Sequence, residues 1–157
     1  MSRTYRKNPN WLDRYVGRMK ALATQEVAVG FPAGKGLGEP YYDTGASVLE
    51  VAIWNNYGTR RIPARPFFDN ASIRMQRGFR RLAHDSFKQY GRGEKTAHQV
   101  FNEWGVWGKN MVQDEISSTY NPPNAPMTVL RKGSAHPLID TGHMIQSVTY
   151  AVRKKSA

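Results

Sequence analysis

Four histidines and a scatter of carboxylates are the groups from which hydrolytic or metal chemistry would have to be built. His84, His98, His136 and His143 stand apart, and none falls in the His-Glu-x-x-His pattern that sets two imidazoles on one helical face. His84 and Asp85 are neighbours, so on a helix they point in different directions. His136 and His143 flank PLIDTG without a third ligand at a specific spacing. Asp114 and Glu115 are the closest acidic pair, and adjacent helical positions do not converge as paired carboxylates must. No serine sits in a nucleophile elbow. The glycine-rich stretch Pro32 to Pro40 invites a phosphate-loop reading, but only three residues separate Gly30 from Gly34, and Lys35 is followed by Gly36 where a magnesium-binding hydroxyl is needed. These patterns predict no enzyme, no metal site and no cofactor.

The arginines carry more information. Arg60, Arg61, Arg65, Arg74, Arg77, Arg80 and Arg81 fall within one short segment whose only acid is Asp69. Clustered guanidinium groups can follow a phosphate backbone without reading its sequence. They serve equally well against an acidic protein face or as a solvated helix surface. The formal charge of +11 points to polyanions in general and does not choose among them.

These residues need elements to hold them. Trp11, Tyr15, Met19 and Leu22, with Leu12 and Val16 alongside, recur at helical spacing over Asn10 to Leu22. Such a helix covers a sheet or packs on a neighbouring subunit. EVAVGF, Glu26 to Phe31, reads as a strand. Ser47 and Glu50 form a capping box for a helix that Gly58 ends, with Leu49, Ala52, Ile53 and Asn56 on one face; Asp43 or Thr44 is an alternative start. TRRIPAR is an extended basic link, because residues before proline avoid helical angles. A helix follows from near Pro66 or Asp69, with Met75, Phe79, Leu82 and Ser86 on one face and the arginines on or near the other. Gly78 within it is expected to receive another backbone closely.

Tyr90 to Thr96 is a polar break. Ala97, Val100, Phe101, Trp104, Trp107, Met111 and Glu115 then trace another helical face, with Gly105 and Gly108 where a crossing element needs room. The prolines of Ser118 to Pro137 predict a long loop. Asp140 or Thr141 is expected to cap a short helix, and Ser147 to Arg153 alternates as a strand.

The expected fold is α+β: a small mixed or antiparallel sheet packed against several helices, with long loops. At 157 residues the chain predicts a single domain, with an irregular basic N-terminal start and a short polar C-terminal tail. The absence of cysteine excludes disulfides and thiolate metal sites and suits a reducing compartment. No apolar run is long enough to span a bilayer, and the polar start is not a signal peptide. Assembly in the cytoplasm is expected.

Two stretches carry a family resemblance. AIWNNYGTRRIPARPFF, Ala52 to Phe68, resembles a segment of tailed-bacteriophage morphogenesis proteins: a small residue, an Asn/Glu-Phe/Tyr-Gly turn, then Pro-Ala-Arg-Pro-Phe. PLIDTGHMIQSVTY, Pro137 to Tyr150, resembles the Pro-Leu-x-Asp-Thr-Gly, short helix and Ser-Val/Ile segment of neck and tail-completion proteins of the HK97 type. VAVGF suits the strand before the first of them. The stretches cover about one-fifth of the chain, and Asn56 stands where an acidic residue is common.

The resemblance implies a non-enzymatic virion protein at the neck or upper tail. It implies a homo-oligomeric ring, with a hexamer favoured, that completes the tail or joins it to the head connector. The implied neighbours are a head-side connector or stopper and a tail tube or terminator protein, with nonspecific contact to genomic DNA in the channel and no membrane partner. The alternatives are a tail-terminator ring protein and a basic nonspecific nucleic-acid-binding protein. Candidate assembly residues are Trp11, Tyr15, Tyr57, Pro63, Arg65, Pro66, Phe67, Phe68, Asp140, Thr141 and Gly142. Phe67 and Phe68 would anchor the link in the subunit's own core or across a ring interface. Arg60, Arg61, Arg74, Arg77, Arg80 and Arg81 are the candidates for DNA or an acidic partner.

Overall fold

A computed structural model describes residues 10–31 and 45–155. The basic start, the glycine-rich stretch Pro32 to Pro40, the alternative helix start at Asp43 or Thr44, and the last two residues of the tail lie outside the described residues. The elements run α1 (Trp11–Ala23), β1 (Gln25–Gly30), α2 (Val48–Tyr57), α3 (Phe67–Arg92), α4 (Ala97–Ser118), α5 (Pro126–Lys132), α6 (His143–Ser147) and β2 (Thr149–Lys154). The fold is α+β. β1 and β2 pair antiparallel, from Gln25 opposite Lys154 to Gly30 opposite Thr149. Two distant parts of the chain are thereby held side by side, and the α3–α4 hairpin supports them.

The contact between α4 and the sheet explains the two glycines. A side chain at Gly105 would overlap the Tyr150 ring of β2, and a Cβ at Gly108 would lie 2.9 Å from a Val29 methyl of β1. Helix and sheet approach so closely only because both positions lack a Cβ. Gly78 plays the same part between the long helices, where a Cβ would lie 2.9 Å from the Trp107 ring. The deeply buried positions of α4 are Val100, Phe101, Gly105, Gly108, Val112 and Ile116, whereas Trp104 and Trp107 are half-buried. The most buried line of α4 thus runs through the glycines, and the tryptophans flank it against α3.

Trp104 fills the seam with α3. Its ring meets Phe79, Phe87 and Phe101 edge-on at centroid distances of 5.0, 5.5 and 5.2 Å. Its indole N–H donates to Ser86 Oγ at 3.1 Å, and Ser86 donates to Glu103 at 3.0 Å.

One cluster of the core gathers Val48, Ala52, Phe67, Ala71, Val112, Ile116, Leu138, Met144 and Val148; a second gathers Leu22, Tyr90, Val100 and Phe101. Tyr90 therefore belongs to α3 and the core, and its hydroxyl donates to the Arg18 carbonyl at 2.9 Å. The helix continues to Arg92 and stops at Gly93, in the left-handed region at φ 79°. The polar break is accordingly shorter than the sequence suggests.

The expected long loop also needs correction. Pro126 opens α5 at a position where a missing N–H costs nothing, and Gly133 ends it at φ 67°. The prolines forbid one continuous helix through Ser118 to Pro137 but leave room for this short one.

Candidate functional site

The turn after α2 brings the two family-like stretches together. Gly58 leaves α2 at φ 78°, and a Cβ there would lie 2.9 Å from the Ala64 backbone nitrogen. Thr59 Oγ1 accepts from the Arg61 and Ile62 amides, and the Thr59 amide donates to the Ile62 carbonyl at 2.8 Å. The chain folds back so that the Arg65 amide reaches the Asn55 carbonyl at 2.7 Å.

The Arg65 side chain then points inward and is 2% exposed. Its Nε donates to the Pro122 carbonyl at 2.7 Å and Nη1 to Asn55 Oδ1 at 3.2 Å. Nη2 donates to the Pro123 carbonyl at 3.2 Å and Asn124 Oδ1 at 3.3 Å. Every acceptor is neutral. Burial makes this guanidinium a weaker base than an exposed one, yet it stays charged. Arg65 fastens the segment between α4 and α5 to the end of α2.

Asn56 is buried beside this clasp. Its Oδ1 accepts from the Phe68 amide at 2.9 Å, which caps α3, and its Nδ2 donates to Asp69 Oδ2 at 3.0 Å. An amide both accepts and donates here, which a carboxylate cannot do. An acid at this position has no proton for Asp69 and faces another carboxylate. Asn56→Asp is expected to lower stability by about 1–3 kcal/mol at neutral pH. Most of that loss should vanish in acid, where a carboxyl group can donate again. Urea melts at pH 7 and pH 4 check this, and an equal loss at both values would remove the pairing argument.

The second stretch meets the first through Leu138 and Met144, both in the core cluster that holds Phe67. Neither Asp140 nor Thr141 caps α6; Gly142 holds the cap position at φ 79° with no side-chain bond. The left-handed turn there leaves Asp140 half-buried and Thr141 exposed. His136 braces the approach: Nδ1 accepts from the Ile139 amide at 3.2 Å and Nε2 lies 3.0 Å from the Ser117 carbonyl.

The other candidate residues divide by location. Phe67 is 1% exposed, so of its two possible places it takes the chain's own core, in edge contact with the half-buried Phe68 at 6.4 Å. Arg65 and Phe67 are therefore supports beneath the surface of the folded chain. Trp11, Tyr15, Tyr57, Pro63 and Pro66 are exposed. Leu49 and Ile53 are also exposed, because the buried line of α2 is Val48, Ala52 and Asn56. They line an apolar hollow of about 230 Å³ with Tyr57, Phe31 and Phe68.

Arg60 and Arg61 are exposed on the turn. Arg74 is tied to Glu115 of α4 at 2.7 Å. Arg77, Arg80 and Arg81 are exposed, and none is in an ion pair among the described residues. At about 100° per residue, Arg74, Arg77, Arg81 and Lys88 lie along one stripe of α3, roughly 21 Å long. Lys88 was missing from the candidates, although its spacing of seven from Arg81 marks it in the sequence.

A larger cavity of about 640 Å³ opens between α2, the 61–65 turn, α5 and residues 137–144. Arg131 and Lys132 of α5 join Arg61 and Arg65 in its wall. The sequence gives no sign of this meeting, which depends on the Arg65 clasp. The Lys132 ammonium donates to the His136 and Pro137 carbonyls at 3.3 and 3.4 Å. Burial pushes its pKa below that of a surface lysine; Arg65 and Arg131 push the same way, and Asp140 opposes them.

Comparison with protein-family models, with curated proteins and with solved structures found no match.

Proposed function

We propose that this chain is a structural protein of the head–tail junction of a tailed bacteriophage. It closes into a homo-oligomeric ring, hexameric by the resemblance, that completes the tail or joins it to the head connector. A tail-terminator ring is the near alternative. The observation that carries the reading is the convergence of the two family-like stretches. Far apart in the chain, they share one core cluster and both contribute to the wall of the cavity beside Arg65. Stretches with one joint task are expected to meet in this way. The exposed aromatic side chains of α1 and the end of α2 are the surfaces offered to neighbouring subunits.

Light scattering of the purified protein, alone and mixed with isolated tails, tests the proposal. A closed ring, or capture at one tail end, supports it. A persistent monomer that ignores tails counts against it.

The α3 stripe favours a second reading as a nonspecific nucleic-acid binder. Arg77→Ala with Arg81→Ala is expected to leave the melting temperature unchanged, since both side chains are exposed. If the stripe follows phosphates, the slope of log affinity against log salt for duplex DNA should fall by about 2. An unchanged slope across a salt series removes the stripe from any DNA contact. Tight duplex binding without ring formation favours this reading over the first.

A further inference from the structure

The cavity beside Arg65 combines two features that one ligand class satisfies. Its wall carries four cations, Arg61, Arg65, Arg131 and Lys132, against one carboxylate, Asp140. None of the four is in an ion pair among the described residues. Arg65 spends its hydrogen bonds on neutral oxygens, so its charge still acts on the cavity. Lys132 likewise donates only to carbonyls. The field inside is positive, and a low-dielectric wall strengthens it.

The rest of the lining pairs apolar Val51, Trp54, Ile62 and Leu138 with the neutral polar side chains of Asn55, Asn124 and Thr128. Trp54 presents an exposed ring at the end of α2. A bare phosphate would leave this apolar wall unused. A DNA duplex offers a convex backbone, which suits the α3 stripe better than a concavity.

We propose that this cavity docks an acidic, apolar peptide segment of a partner protein. A carboxylate of the segment lies against Arg61, Arg131 and Lys132, and an adjacent apolar side chain lies against Trp54 and Ile62. Arginine clusters recognise acidic motifs in this manner, through charge-assisted and often bidentate hydrogen bonds. Arg65 is a positioning residue: it sets the wall and its potential from behind. The inference goes beyond the head–tail reading and requires no ring.

The test is fluorescence anisotropy of the full chain with a short labelled peptide of alternating leucine and glutamate. Two control peptides replace every glutamate with glutamine, or every leucine with glycine. The first peptide is expected to bind about ten-fold more tightly than either control, and more weakly as salt rises. Arg61→Gln with Arg131→Gln should cost about ten-fold in affinity, while the melting temperature holds because both side chains are exposed. Arg77→Ala with Arg81→Ala should leave peptide binding unchanged.

Several results overturn the proposal: no binding of the first peptide, equal binding of either control, or indifference to the Arg61 and Arg131 changes. Inorganic phosphate or a single-stranded oligonucleotide binding at these arginines in place of the peptide overturns it too. Failure to form rings or to meet tails in light scattering bears on the head–tail reading alone.

Discussion

Phe67→Ala is expected to lower the stability of the folded chain by about 3–5 kcal/mol, the usual cost of emptying a buried phenylalanine site. The ring is enclosed by α2, α4 and the segment leading to β2, through Ala52, Ile116, Leu138 and Met144. These groups come from separate elements, so a small shift of one of them does not close the space, although the ring also borders the hollow beside α2. A domain of ordinary stability holds roughly 5–15 kcal/mol in all, so this one change removes a large share of it. Phe68→Ala should cost clearly less, about 1–2 kcal/mol, because its ring is only half-buried. Urea denaturation of both variants measures the difference. Equal, small losses would show that Phe67 is not seated in the core. Reduced assembly by Phe68→Ala with normal melting would instead place that ring at a subunit contact.

Arg65→Lys is the second large effect. Lysine keeps the charge but has one nitrogen where the guanidinium spreads over the Pro122 and Pro123 carbonyls and the Asn55 and Asn124 amide oxygens. With three N–H donors for four acceptors, an ammonium leaves at least one of them without a donor and is itself poorly solvated. The expected loss is about 2–4 kcal/mol. It should have a local signature. The segment from Tyr120 to Ala125 loses its fastening to α2, so limited proteolysis within it should speed up before the whole chain unfolds. Wild-type melting together with wild-type proteolysis would mean that other contacts hold the segment.

A bidentate arginine–carboxylate pair is the common way to bury a guanidinium, and nothing near Arg65 in the sequence hints at another. Its acceptors are Asn55 Oδ1 and the backbone and amide oxygens of residues 122–124. Arg65 stands among the assembly candidates only through the family-like segment that holds it. Sequence reading also singled out Asn56 as a departure from the family-like pattern without showing why an amide is required there. The answer lies in Asp69 and the Phe68 amide, on the next helix.

Features that depend on neighbouring residues can be read along the chain. Ser47 and Glu50 cap α2, and Gly58 ends it. Apolar spacing marks α1, α3 and α4, and alternation marks β2. Gly78, Gly105 and Gly108 were legible as places of close approach, since a missing Cβ in an apolar helix needs a reason. The local hydrogen bonds and side-chain periods behind these features reach only a few residues along the chain.

The tertiary structure alone decided which elements meet. The pairing of β1 with β2, the Tyr150 ring over Gly105, the seat of Phe67 and the inward turn of Arg65 all join residues distant in sequence. So does the gathering of Arg61, Arg65, Arg131 and Lys132 around one cavity. Such meetings depend on how several buried faces are satisfied at once, and no short window of sequence contains that sum.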